Sequence, residues 1–130
     1  MAKMTGKVAL VVGGAKGIGL AIVDRLSQEG ATVLLTGRRA GEVAAAAQQI
    51  GPLAQGIEAD AASPADLARV VAEVRRLHDR IDLLVLNAGL SEPATIAEET
   101  AEHFDRHFDV NVRGALFAVQ AAVPVMNDGA

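Results

Sequence analysis

Val12-Gly13-Gly14-Ala15-Lys16-Gly17-Ile18-Gly19 closes the apolar run of residues 7–12 and opens a helical pattern over residues 18–29. Glycines therefore crowd the one turn between a buried strand and a helix. A backbone without Cβ atoms bends tightly and comes close to a pyrophosphate, while free N–H groups and the positive end of the helix dipole face the anion. The turn points to nucleotide binding. A strand-to-helix turn can also want glycine for geometry alone, so its neighbours must decide between the two readings. A nucleoside triphosphatase loop would carry Gly-Lys-Ser or Gly-Lys-Thr at the helix start, whereas Lys16 is followed by Gly17.

Four short runs, at Val8–Val12 and at residues 32–36, 53–59 and 82–86, alternate with helical patterns over residues 18–29, 41–50 and Pro64–His78. The first, second and fourth runs are apolar on both faces, as strands of a covered parallel sheet are. The third helix has the clearest signals. Ser63 can cap it, Pro64 suits its first turn, Asp66 favours its positive end, and Leu67, Val70, Val71, Val74 and Leu77 share a face. Residues 101–126 read as one helix, with Phe104, Phe108, Val112, Ala115, Leu116, Val119, Val123 and Met126 at three- and four-residue spacing. The alternation predicts an α/β fold, a doubly wound parallel sheet of Rossmann type in strand order 3-2-1-4. Its ligand crevice should lie at the carboxyl ends of strands one and four.

The 130 residues suit one domain. Twelve Lys plus Arg against sixteen Asp plus Glu leave a net charge of −4, which argues against a general grip on nucleic acid or anionic lipid. With no cysteine there is neither a disulfide framework nor a thiolate metal site. The N-terminus lacks a signal-peptide pattern, and the longest apolar stretch, residues 115–126, contains Gln120 and Pro124 and falls short of the ~20 residues a membrane helix needs. The expectation is a cytoplasmic protein with neither membrane nor nucleic-acid partner.

The second strand ends at Thr36-Gly37-Arg38-Arg39, where a dinucleotide fold preferring NAD usually places an acidic residue on the ribose 2′-hydroxyl. Gly37 offers none. Arg38, with Lys16 across the glycine turn, could hold a 2′-phosphate by charge-assisted contacts, which favours NADP; two solvated loop arginines are the other reading. Asp60 suits either the adenine amino group or a plain turn, and Asn87-Ala88-Gly89 suits either the crevice floor or an Asx turn. His103 and His107 stand one helical turn apart. That spacing can clamp a metal, but no third ligand is evident and the pair reads as solvated or partly packed histidines.

In order and spacing these motifs resemble the short-chain dehydrogenase/reductase family of NAD(P)-dependent enzymes. Gly13-x-x-x-Gly17-Ile18-Gly19 is similar to its cofactor turn, Asp60 to its adenine contact, Leu86-Asn87-Ala88-Gly89 to its Asn-Asn-Ala-Gly segment, and Asn111-Val112-Arg113-Gly114 to its helix-borne asparagine motif. Val12 in place of threonine and Leu86 in place of the first asparagine depart from the pattern. The resemblance implies that Gly13, Gly17 and Gly19 bind pyrophosphate and that Lys16 and Arg38 bind the 2′-phosphate. Asp60 would meet adenine, Asn87, Ala88 and Gly89 the neighbouring ribose, and Asn111 would belong to the catalytic set. It further implies hydride transfer between NADP and a small carbonyl or alcohol substrate, in a homo-oligomer formed through the final helix.

The family's serine and Tyr-x-x-x-Lys proton relay have no counterpart here. The chain has no tyrosine, and Lys3, Lys7, Lys16, Ser27, Ser63 and Ser91 all precede the last helix. It therefore reads as the family's N-terminal, cofactor-binding half, ending before a fifth strand, inactive alone, with the fourth strand an uncovered edge. A non-catalytic nucleotide-binding or redox-sensing module and a methyltransferase of similar topology are the rival readings.

Overall fold

Five consecutive aliphatic residues make Val8–Val12 (β1) a strand buried on both faces. The sheet extends outward from it in the computed structural model, which describes residues 2–130. On one side lies Thr32–Gly37 (β2), with Thr32 opposite Val8, and beyond it Ala54–Glu58 (β3). On the other lies Leu83–Leu86 (β4), with Leu83 opposite Ala9. All pairings are parallel and the order is β3-β2-β1-β4, as the sequence implies.

The helices are Gly17–Gln28 (α1), Ala40–Ile50 (α2), Pro64–His78 (α3), Ala101–Phe108 (α4) and Ala115–Ala122 (α5). Strand side chains alternate between faces, so each sheet face builds its own core. Ala9, Val11, Val33 and Leu35 pack with Val23 of α1 and Val43 and Ala46 of α2. Val8, Leu10, Val12, Leu34 and Ile57 pack with Leu67, Val70 and Val74 of α3 and Ala118 and Ala122 of α5. α3 begins as its sequence dictates: the Ser63 hydroxyl accepts the Asp66 N–H at 3.2 Å and Pro64 fills the first turn. Leu77, expected on the buried face, is partly exposed.

Residues 101–126 do not form one helix. Between α4 and α5 the chain widens into a π-helical turn, Asp109–Gly114, and after α5 it tightens into the 3-10 turn Val123–Val125. At Gly114 a Cβ would stand 2.1 Å from the Ala61 carbonyl oxygen, so this turn is packed tightly against the loop after β3. Pro124 has no N–H to continue an α-helix. The large apolar residues of this segment face outward. Phe104, Phe108, Val112, Leu116, Val119 and Val123 are exposed, and the small residues Gly114, Ala118 and Ala122 are buried.

β4 is an edge strand, as the sequence implies, and its residues are half-buried or exposed. Among the described residues its outer side is met near one end only. There Ile81 donates its N–H to the Val125 carbonyl at 3.0 Å and pairs in parallel with Met126. No described helix is long and apolar enough to cross a membrane.

Asp82 ties the entry of β4 to that of β1. Its Oδ2 accepts the Val8 N–H at 2.8 Å and the Arg80 Nε–H at 3.0 Å, and Arg80 also donates to the Gly6 carbonyl. Partial desolvation pushes the Asp82 carboxyl up, but the Val8 N–H, Arg80 and the charge of Lys7 outweigh it and hold the group below its ordinary value. A depressed carboxyl contributes stability that is full above the unfolded-state pKa and is lost as pH falls through the folded one. Asp82→Ala should lower unfolding free energy by roughly 1.5–3 kcal/mol at neutral pH, the worth of hydrogen bonds to a charged group. The variant should also lose less stability than the wild type on acidification; identical acid limbs in thermal melts would contradict this role.

Candidate active site

The turn after β1 is fastened from two sides. Gly13 donates its N–H to Thr36 Oγ1 at 3.1 Å and Gly14 donates to the Thr36 carbonyl at 2.9 Å. From β4, Asn87 Nδ2 donates to the Gly13 carbonyl at 3.0 Å. The three motif glycines do different jobs here. Gly13 has φ +85°, and a Cβ on it would lie 2.6 Å from the Ala88 nitrogen. A Cβ on Gly19 would lie 1.9 Å from the Gly13 carbonyl oxygen. Gly17 has φ +59° and open space around it, so its contribution is conformational. Lys16 occupies the N-cap of α1 without a side-chain cap, which leaves the first-turn N–H groups to an anion.

Thr36, 2% exposed, was not among the sequence candidates. The signal was available: a hydroxyl that follows the apolar run of β2 and lies next to the glycine turn needs a buried partner.

A crevice of about 380 Å³ runs along the carboxyl ends of all four strands. It is lined by Gly13 and Lys16 from the turn, Gly37, Arg38 and Arg39 after β2, Asp60 after β3, and Asn87, Ala88, Gly89 and Leu90 after β4. The structure thus gathers most of the sequence candidates in one place. Gly17, Ile18 and Gly19 form the first turn of α1 outside this lining, with the Ile18 side chain in solvent. Arg39 is engaged by Glu42 at 3.3 Å, whereas Lys16 and Arg38 have no ion-pair partner among the described residues. Asp60 is both a turn residue and a crevice residue. Its Oδ1 accepts the Ala62 N–H at 2.9 Å, and its own N–H goes to Asp66 Oδ2 at 2.8 Å.

Asn111 sits on the π-helical turn and takes hold of Leu90 with both polar atoms. Oδ1 accepts the Leu90 N–H and Nδ2 donates to the Leu90 carbonyl, each at 2.8 Å. It therefore acts on the crevice by fixing its wall. His103 and His107 are likewise engaged with the main chain of Glu92, and among the described residues no group of three or more His, Cys, Asp or Glu is placed to hold a metal.

The profile of the family described as short chain dehydrogenase matches residues 7–130. The sorbitol dehydrogenase of Cereibacter sphaeroides is 40% identical over 127 residues, which cover 98% of this chain and 50% of that protein. A short-chain dehydrogenase/reductase from Serratia marcescens superposes with a TM-score of 0.91 at 39% identity, over 97% of this chain and 53% of that one. A blue fluorescent protein from a metagenomic library, solved in complex with NADPH, gives a TM-score of 0.90 at 37% identity over the same shares. The chain spans about half the length of the curated relatives it matches.

The different jobs of the glycines separate experimentally. Gly17→Ala should cost about 1–2 kcal/mol, the left-handed penalty of one L-residue. Gly19→Ala drives a methyl group into a carbonyl that Asn87 also binds, so its loss of stability in denaturant melts should be clearly the larger. Equal losses would mean that the turn relaxes and is not fastened as described.

Proposed function

The chain belongs to the short-chain dehydrogenase family, and from that premise we propose that it is the NADP(H)-binding portion of an oxidoreductase acting on a small carbonyl compound or secondary alcohol. The bound nicotinamide would supply the hydride chemistry. The first-turn N–H groups of α1 suit its pyrophosphate, Lys16 and Arg38 the 2′-phosphate, and Asp60 the adenine amino group. Asn87, Ala88 and Gly89 border the neighbouring ribose. Asn87 does so with its side chain turned to Gly13, so its contribution to a ligand is through the backbone.

One observation carries the cofactor preference. At Gly37, where an acidic ribose ligand would stand, a Cβ would meet Val43 Cγ2 at 2.9 Å and the Ala15 Cβ at 3.0 Å. A carboxylate at that position has to push against α2 and the glycine turn, while two cations without internal partners line the same crevice. The packing is thus matched to an anionic 2′ substituent. The presence of NADPH in a structure of the same fold agrees with this reading.

The exposed apolar stripe completes the proposal. Phe104 and Phe108 stack with ring centroids 4.4 Å apart and, with Val112 and Leu116, leave a continuous oily face; Leu116 is 63% exposed. Such a face on a folded protein marks an interaction surface, and we assign it to a second copy of the chain.

Calorimetry should detect NADP⁺ binding, with no NADPH consumption by the 130-residue chain on added carbonyl substrates, because it has no tyrosine to pass a proton. Arg38→Asp should weaken NADP⁺ about tenfold to a hundredfold, through loss of a charge-assisted contact, and shift preference toward NAD⁺. Unchanged affinities for both nucleotides would defeat the assignment. Leu116→Glu should reduce the sedimentation coefficient to that of a smaller species; a wild type already monomeric at high concentration would defeat the interface.

A further inference from the structure

The segment leaving β4 is gripped twice by the helix that follows. Asn111 holds the main chain of Leu90, and two residues further on His103 and His107 hold that of Glu92. The hydrogen bonds determine where the protons are. Glu92 donates its N–H to His107 Nε2 at 2.9 Å, so that nitrogen is bare. His107 Nδ1 faces the His103 carbonyl at 2.7 Å and must donate to it. His107 is therefore neutral.

His103 grips the same residue from its carbonyl side. Its Nε2 faces the Glu92 carbonyl at 2.8 Å and donates. Its Nδ1 is buried without a well-directed hydrogen bond, yet lies 2.7 Å from Glu99 Oε1. The Thr100 N–H, and after it the His103 ring, hold the Glu99 carboxyl below its ordinary value against partial desolvation. A bare Nδ1 would point a lone pair at this carboxylate; a protonated one forms an ion pair. The two rings lie side by side, with centroids 4.2 Å apart. The other charged groups in contact are Glu92, whose carboxylate accepts from Arg106 Nη2 at 2.7 Å, and Arg106 itself.

We propose that His103 and His107 are positioning residues that clasp the segment just beyond the crevice wall, at Glu92, and that acid releases this segment. A proton on His107 Nε2 removes the acceptor of the Glu92 N–H. A neutral His103 still donates Nε2–H to Glu92, so the clasp opens in one direction. The inference rests on the oxidoreductase reading only for what this segment adjoins. The clasp itself is independent of cofactor.

The test is hydrogen exchange of the Glu92 amide in the full chain between about pH 8 and pH 5, the range in which imidazoles titrate, corrected for intrinsic exchange. Protection should fall about fivefold to tenfold toward acid, the worth of one backbone hydrogen bond. His107→Gln offers a carbonyl acceptor that takes no proton, so it should keep Glu92 protected at both ends. His107→Phe should lose protection throughout. Nitrogen NMR should find His107 bare at Nε2 at neutral pH. A flat wild-type profile, a glutamine variant that still titrates, or a His107 protonated at Nε2 at neutral pH would each overturn the clasp. NADP⁺ calorimetry on the same samples separates the outcomes: absent nucleotide binding refutes the proposed function and leaves the exchange result standing.

Discussion

The contact between Gly13 and Ala88 organises this molecule. At this point the ends of β1 and β4 come so close that a methyl group on Gly13 would lie within 2.6 Å of the Ala88 backbone. Asn87 ties the two ends together through the Gly13 carbonyl, and Gly19 brings α1 down on the same carbonyl. Everything placed at the crevice inherits its position from this junction. The turn amides, the β2 end fastened through Thr36 and the segment that leaves β4 are all measured from it. A larger side chain at Gly13 or Gly19 would separate the strands where the ligand has to sit.

α2 makes a second close approach. Gly37 at the end of β2 and Gly56 in β3 both lie under Val43, where a Cβ would come within 2.9 Å and 2.3 Å of its methyl groups. The helix therefore settles onto the sheet over two missing side chains. This packing also leaves the end of β2 without a side chain next to Arg38.

Much of this was legible in the sequence, for physical reasons. Buried strands on both sides of a parallel sheet read as unbroken aliphatic runs, so β1 and β2 were visible, and α3 announced itself through Ser63, Pro64 and a four-residue apolar face. The glycine turn was visible as a turn, but the division of labour among its glycines was not. Gly13, Gly17 and Gly19 are the same residue on paper, and only the neighbours reveal that two are needed for contact and one for its backbone angle. Thr36 was passed over because its partner is a backbone amide 23 residues away. The edge position of β4 was legible because no run that could pair with its outer side follows it.

The last helix region shows why periodicity finds a stripe without saying which way it points. In an ideal α-helix, three successive steps of four residues drift by about 120°, so Phe104, Phe108, Val112 and Leu116 would not share a face. All four are exposed here, across a segment whose i→i+5 turn at Asp109–Gly114 advances less per residue and so reduces that drift. The same widening places Asn111 on Leu90 and lets Gly114 rest on Ala61. With the small residues Gly114, Ala118 and Ala122 inward, the backbone comes near the sheet and α3, and the large side chains are left outside. The close fit of Gly114 at Ala61 leaves no room for a side chain there, so at this point the small face must be the inner one.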